Sequence, residues 1–461
     1  MNETGRLPIL MWKSNVDDAG LLVDLYELTM AAAYFQNHHT GTATFELVIR
    51  HLPQDRGYLI AAGLEQGLEY LETLSFSGPQ IEFLRRHPAF ARVDDEFFEY
   101  LSGLHFRGEV WAVEEGTPVF ALEPLLRVTA PVIEAQIVET FLLTTIAFQT
   151  MIASKAARVV QSAAGRPVVE FGSRRAHGPR AGVLAARAAY IAGCAGTSNV
   201  EADYRFGIPS SGTMAHSFVM AYDDELESFQ DFTRIFPENS VLLLDTYNSL
   251  KALDRLIAAG LRPCGVRLDS GNLAELSKHV RESLDRAGLT RTMVIASGDL
   301  DEYAIAELLA KDARIDEFGV GTALATSNDA PALSAIYKLV AYDREPRLKL
   351  SEEEEKATYP GCKQVFRFVK AGTYTRDIIG TAEEDHPGTQ RLLSCVMRDG
   401  RRLFPAPSIG EIRESTAKLI GRLPVAVRDL WHPAAYRVGP SAKLEEIFTT
   451  VRIRFKLDDV G

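Results

Sequence analysis

The segment PCGVRLDSGNLAELSKHVRESLDRAGLTRTMVIASGDL (263–300) decides how the chain folds. Two short apolar runs, GVRL and MVIA, bracket a stretch with apolar residues at helical spacing. Each run passes at its C-terminal end into residues with chemical capacity, Asp269 after the first and Ser297 and Asp299 after the second. Buried parallel strands read this way, as apolar runs with polar or glycine residues appended. The same phrase recurs at PVVEFG (167–172), VLLLD (241–245) and IDEFGVGT (315–322). Strands alternating with helices favour a βα barrel or a doubly wound sheet. The run ends carry Arg174 and Arg175, Asp245, Asp269, Ser297 with Asp299, and Thr322. In a barrel the active site is built at the C-terminal strand ends, so these residues are expected to converge on one site.

Outward from this region the rhythm changes. Before it runs a long helix over about residues 132–163, whose apolar core IVETFLLTTIAFQTMIAS carries Glu139 and Gln149. It stays amphipathic and is expected to be a buried helix rather than a membrane span. The N-terminal part mixes a helical pattern, LLVDLYELTMAAAYFQ, with an alternating strand, TATFELVIR, and short β segments broken by Gly and Pro. Beyond about residue 345 the text turns irregular again. The expected domains are an N-terminal α+β unit (1–128), an α/β barrel (129–344) and a C-terminal segment (345–461) that packs back on the first.

The bulk numbers exclude several classes. A chain of 461 residues with 46% hydrophobic and 24% charged residues is ordinary for a soluble protein. Its net charge of -12 argues against a general nucleic-acid surface, so an anionic substrate would need local Arg and Lys. Four scattered cysteines without CxxC spacing fit neither a zinc knuckle nor a disulfide framework. The N-terminus lacks a signal-peptide pattern. The expectation is a cytoplasmic protein without membrane or nucleic-acid partners. The SEEEEK run at 351–356 reads as a solvated loop.

At the strand ends, EFGSRRAHGP (170–179) places Phe171, a turn at Gly172, and Arg174, Arg175 and His177 at an expected helix start, where two arginines beside free backbone N–H groups make an anion seat; a surface Arg pair in salt bridges is the alternative. ASGDL (296–300) and FGVGTALATSND (318–329) are glycine turns opening onto helices, and loops after the last barrel strands are a recurrent phosphate site. Asp245 and Asp269 either cap the following helices, hold Mg²⁺ through water, or take the hydroxyls of a sugar. Arg267 lies two residues before Asp269, so alternation puts both on the barrel interior, where an unpaired Arg calls for an anion. His216 follows a Ser-Gly-Thr setting. A packed core histidine and a histidine that carries a phosphoryl group both fit it.

Ten ordered segments make the chain resemble the nicotinate phosphoribosyltransferase family over most of its length: DLYELTMAAAYF, RGYLIAAGLEQ, EAQIVETFLLTTIAFQTMIASKAARV, EFGSRRAHGP, GTSNV, GTMAHSF, LLDTYNSL, GVRLDSGNL, SGDLDEYAI and FGVGTALATSNDAPAL. The resemblance implies an incomplete, TIM-like α/β barrel with an N-terminal α+β domain completed by C-terminal residues. It implies a homodimer with shared sites that joins nicotinate to 5-phosphoribosyl 1-diphosphate (PRPP), coupled to ATP hydrolysis and needing Mg²⁺. On the matching positions, His216 is the phosphohistidine, Asp269 a catalytic residue by the ribose and phosphates, and Thr213, Arg267, Arg174, Phe171 and Ser198 face nicotinate. Tyr26 would reach the neighbouring subunit's site and stack opposite Phe171. Gly298, Asp299, Gly319, Gly321 and Thr322 match positions around PRPP.

Asn248 stands where an acidic residue is common in the family, so no metal ligand is assigned there. The acidic run Glu352–Glu355 departs from the family's pattern, and Lys363 in the adjacent YPGCKQVFR is left without a role. The nearest rival is a nicotinamide-using relative. Those relatives resemble one another in an aspartate at the Ser198 position, which accepts from a carboxamide and repels a carboxylate. A catalytically silent sensor or scaffold is the rival from another class.

Overall fold

A computed structural model describes residues 16–349 and 358–457. The acidic run Glu352–Glu355 lies outside the described residues. The chain divides into two units, one made of residues 1–151 and 332–461, the other of residues 152–331.

The first unit is built on a seven-stranded sheet with Thr42–Ile49 near its centre. That strand pairs antiparallel with Pro124–Pro131 on one side and with Ala335–Tyr342 on the other, Phe45 standing opposite both Val128 and Leu339. TATFELVIR does form a strand, yet seven of the eight residues of Thr42–Ile49 are buried. Its polar face is covered and its polar side chains are matched inside. Thr44 meets Thr129 at 3.0 Å, and Glu46 forms an ion pair of 2.8 Å with Lys363. Lys363 also donates to the carbonyls of Tyr359 and Gly361. Its charge is thus consumed in the interior, as a buried ion must be. The sequence reading divided the chain at 128/129 and 344/345, outside the observed divisions at 151/152 and 331/332. The reason is packing: Leu142 and Ile146 of the long helix Glu139–Ser162 belong to the core that holds Leu47 and Leu68, and Ala335–Tyr342 is a strand of the first unit's sheet. By length and composition the stretch Val132–Ser162 passes for a membrane span. Its buried polar residues Gln149, Thr150, Ser154 and Lys155 mark it as a core helix.

The second unit holds six parallel strands: Val168–Glu170, Gly196–Thr197, Val241–Leu243, Gly265–Leu268, Met293–Ala296 and Glu317–Val320. The third to sixth pair in chain order, and the sixth pairs with the first through Phe318 and Val168. The first also pairs with the second. The ring therefore closes everywhere except between the second and third strands, which gives an incomplete α/β barrel. The connection spanning that gap, residues 198–240, contains Thr213 and His216.

Helices follow the strands for local reasons. Leu273, Ala274, Ser277, Val280 and Leu284 line one face of Leu273–Arg286 at spacings of three and four, and all are buried. Asn272, Asn248 and Asp301 cap the helices after the fourth, third and fifth strands by accepting from Glu275 N, Lys251 N and Tyr303 N. Capping accounts for Asn248 without any metal.

Candidate active site

The fourth strand shows why its C-terminal end is chemical. Val266 and Leu268 are fully buried, while Arg267 and Asp269, one residue out of phase, are only partly covered. Arg267 donates through Nη1 to Thr213 Oγ1 at 2.5 Å, and its Nε is buried without a partner. Burial lowers the guanidinium's pKa, Asp269 and Asp245 oppose that shift, and the nearby Arg174 adds to it. It remains a cation at any working pH.

His216 opens the short helix His216–Met220 in the gap connection. Its Nδ1 lies 3.2 Å from Thr246 Oγ1 and its Nε2 lies 3.9 Å from Asp269 Oδ2. The side chain is 41% exposed, so it is reachable and is not a packed core histidine. Asp269 also accepts from Ser297 Oγ through Oδ1. Asp245 Oδ2 accepts from Asp269 N at 3.3 Å and from Ser270 Oγ at 2.5 Å, while Asp245 Oδ1 is buried with no partner. The dipeptide Asp245-Thr246 thus braces both the Asp269–Ser270 turn and the histidine.

The glycine turns are shaped by close approach. At Gly298 (φ +93°) a Cβ would strike the carbonyl of Asp269, and Asp299 follows in the left-handed region (φ +47°). At Gly319 a Cβ would enter the ring of Phe171, so the missing side chain lets that ring lie against the sixth strand. Gly321 precedes the short helix Thr322–Thr326.

Arg174, Arg175 and His177 do not stand at a helix start. The helix after Phe171 begins at Pro179, and Ser173–Arg175 form a single 3₁₀ turn. The N–H groups of Arg175 and Ala176 both bond Gly172 O, at 2.8 and 3.0 Å, so they are spent rather than free for an anion. Arg174 and Arg175 are exposed, and Arg174 acts on the site through its charge.

Glu170 is a site residue the sequence reading missed. It is fully buried, accepts from Gly172 N and from Thr197 Oγ1 (2.6 Å), and offers its carbonyl to Ser198 N at 2.8 Å. Burial raises its pKa against those two hydrogen bonds. It locks the Phe171 turn to the Ser198 turn, leaving Ser198 exposed. The available signal was a charged residue inside the apolar run PVVEFG.

The structure therefore brings Thr213, His216, Arg267, Asp269, Ser297 and Gly298 into one cluster, and seats Phe171 on Gly319 with Ser198 held beside it through Glu170. Tyr26 belongs to the first unit, on the helix Leu25–Gln36. It is 45% exposed and stands near Glu139. Burial and the neighbouring carboxylates raise its pKa.

Comparison with known proteins agrees with this layout. Residues 21–147 match the nicotinate phosphoribosyltransferase N-terminal domain, residues 152–330 the quinolinate phosphoribosyl transferase C-terminal domain, and residues 386–448 the nicotinate phosphoribosyltransferase C-terminal domain. The chain is 48% identical over 417 residues to a nicotinate phosphoribosyltransferase of Mycobacterium tuberculosis, covering 89% of each. It is 43% identical to the Bacillus subtilis enzyme of that name, over 78% of this chain and 75% of that protein. The crystal structure of human nicotinic acid phosphoribosyltransferase superposes with a TM-score of 0.83 at 28% identity, covering 94% of this chain and all of that one. Strand ends, gap histidine and matched domains lead to one statement: the chain belongs to the nicotinate phosphoribosyltransferase family.

Proposed function

We propose that the protein joins nicotinate to PRPP, giving nicotinate mononucleotide and diphosphate, and that ATP hydrolysis at His216 drives the reaction forward. The observation that carries the reading is Arg267, a half-buried cation with a buried, unpartnered Nε beside Thr213 and Asp269. A pyridine carboxylate is the anion that fits it, with Phe171 offering a flat face for the ring.

In the glycosyl step the ring nitrogen attacks C1 of the ribose, the C1–O bond breaks, and its electron pair leaves with diphosphate. No protein nucleophile is needed. Asp269 faces the positive charge that develops on the ribose, and positioning carries much of the rate. The turns at Gly298–Asp299 and Gly319–Thr322 are the seat for the PRPP phosphates. Asp245 and Asp269 fit Mg²⁺ through water, because Asp245 Oδ1 is a buried acceptor with nothing to accept from. When bound, Mg²⁺ supplies charge neutralisation for the leaving diphosphate.

Thr246 holds Nδ1 of His216, so Nε2 is the nitrogen free to take the γ-phosphoryl group of ATP, releasing ADP. Water then hydrolyses the phosphohistidine after each turnover. A homodimer is supported by apolar side chains left in solvent on each unit: Leu22, Leu25 and Tyr26 on the first, Val200, Tyr204 and Met220 on the second. Free thiols at all four cysteines suit a reducing cytoplasm.

The direct test incubates the purified protein with PRPP, Mg²⁺ and either nicotinate or nicotinamide, and follows mononucleotide formation. Nicotinate is expected to react with kcat/KM far above that of nicotinamide. No mononucleotide, or a preference for nicotinamide, would overturn the reading.

A further inference from the structure

We propose that Lys155 is a positioning residue for PRPP, a buried tie that holds the two glycine turns at a fixed spacing. The proposal rests on reading those turns as the phosphate seat. Lys155 lies on the long helix with its side chain 1% exposed, so its ammonium group cannot itself reach a substrate. Nζ stands 2.5 Å from Glu302 Oε2 and 2.8 Å from Asp329 Oδ1. Those two acids belong to different loops. Glu302 is the first residue of the helix that follows Gly298–Asp299 and is fully buried. Asp329 stands two residues beyond Ser327, whose left-handed backbone (φ +46°) ends the short helix opened by Gly321 and Thr322. The strands feeding the loops are direct neighbours, Ile295 paired with Glu317 and Ala296 with Phe318.

The rest of the cluster is balanced. Arg158 Nε donates to Glu302 Oε1 at 3.0 Å, and its Nη2 donates to the Tyr303 hydroxyl at 2.9 Å. Lys155 thus pairs with one carboxylate from each side and bridges the two segments. A buried ion pair of this kind is weak evidence of stability for its own sake, because desolvation offsets much of the attraction. Its geometric consequence is plain. Without the ammonium, the link that Lys155 makes between Glu302 and Asp329 is lost, and the repulsion between those two carboxylates is less well screened.

The experiment measures steady-state kinetics and PRPP affinity by calorimetry for Lys155→Met and Asp329→Asn. The Asp329 change sits at a partly exposed residue and keeps the test decisive where Lys155→Met fails to fold. Both variants are expected to raise KM and Kd for PRPP by about tenfold or more, leaving KM for nicotinate within about twofold. Lys155→Arg is expected to recover part of the loss. A lowered melting temperature with unchanged PRPP constants in both variants would overturn the proposal, since that is the signature of a purely structural pair. Thr322→Val separates this from the phosphate-seat reading. Unchanged PRPP constants in that variant, beside raised ones in Lys155→Met, would remove the Thr322 hydroxyl from the seat and leave the tie standing.

Discussion

Arg267 Nη1 donates to Thr213 Oγ1 across 2.5 Å, joining the inner face of the fourth barrel strand to the connection that fills the gap in the barrel. Three residues on from Thr213 the same connection presents His216, whose Nε2 faces Asp269 at 3.9 Å. The proposed substrate seat and the proposed energy-coupling residue are thus one braced assembly. Arg267→Gln removes the cation and half of the brace. Loss of a charge-assisted pair of roughly 1.5–3 kcal/mol is expected to raise KM for nicotinate about ten- to a hundred-fold, as read by initial rates over a nicotinate series. An unchanged KM would remove Arg267 from the pyridine site.

Gly319→Ala tests the seat of the pyridine ring. The added methyl must displace the ring of Phe171, an overpacking cost of about 1–3 kcal/mol. Kinetics at saturating PRPP are expected to show at least a fivefold rise in KM for nicotinate. If nicotinate kinetics are untouched, Phe171 does not face the ring.

Ser198→Asp tests substrate choice. Ser198 is exposed beside the Phe171 turn, its N–H fixed by Glu170 O. A second carboxylate about 4 Å from that of nicotinate repels it by roughly 4 kcal/mol at an effective dielectric near 20. Arg267 offsets part of this, so a ten- to hundred-fold loss (about 1.4 kcal/mol per decade) is expected in nicotinate kcat/KM, with nicotinamide losing less. An unchanged preference between the two substrates would show that Ser198 is not the selector.

The first unit carries a pH dependence of its own. Glu27 is buried, and burial raises its pKa from 4.5 to about 7 despite hydrogen bonds from Thr140. Burial also raises Glu139, whose nearby partners include Tyr26, Gln136 and Lys338. A carboxyl whose folded pKa exceeds its unfolded value favours the fold when protonated. Stability is therefore expected to fall as pH rises from about 4.5 through 7. Glu27→Gln keeps an acceptor for Thr140 and removes the titration. Melting curves from pH 5 to 9 are expected to show the variant gaining stability relative to the native chain at pH 8, on the order of 1–2 kcal/mol after solvent screening. A constant difference across that range would contradict the assignment.

The barrel was legible because buried parallel strands are apolar on both faces and change character abruptly at their ends. Arg267, Asp269, Ser297 and Gly298 stood out at those ends and do meet. The second strand, Gly196–Thr197, is two residues long and leaves no periodic signal. The pairing of Thr42–Ile49 with Ala335–Tyr342 joins segments nearly three hundred residues apart, and no local pattern specifies such a register. The helix start expected at Arg174–His177 failed because Gly172 O captures two successive N–H groups and winds a 3₁₀ turn first. Glu170 and Lys155 were passed over for a common reason. A buried charge inside an apolar run reads as a defect until its partners, distant in sequence, are seen.

The central claim, that His216 couples ATP to mononucleotide synthesis without taking part in the glycosyl step, is tested most directly by one measurement. ADP and nicotinate mononucleotide are followed together in the native protein and in His216→Ala, with saturating nicotinate, PRPP and Mg²⁺, in the presence and absence of ATP. The native protein is expected to release ADP and to make mononucleotide faster with ATP than without it. His216→Ala is expected to release no ADP and to make mononucleotide at the same slow rate whether or not ATP is present. ADP release by His216→Ala at the native rate, or complete loss of ATP-independent synthesis in that variant, would contradict the account.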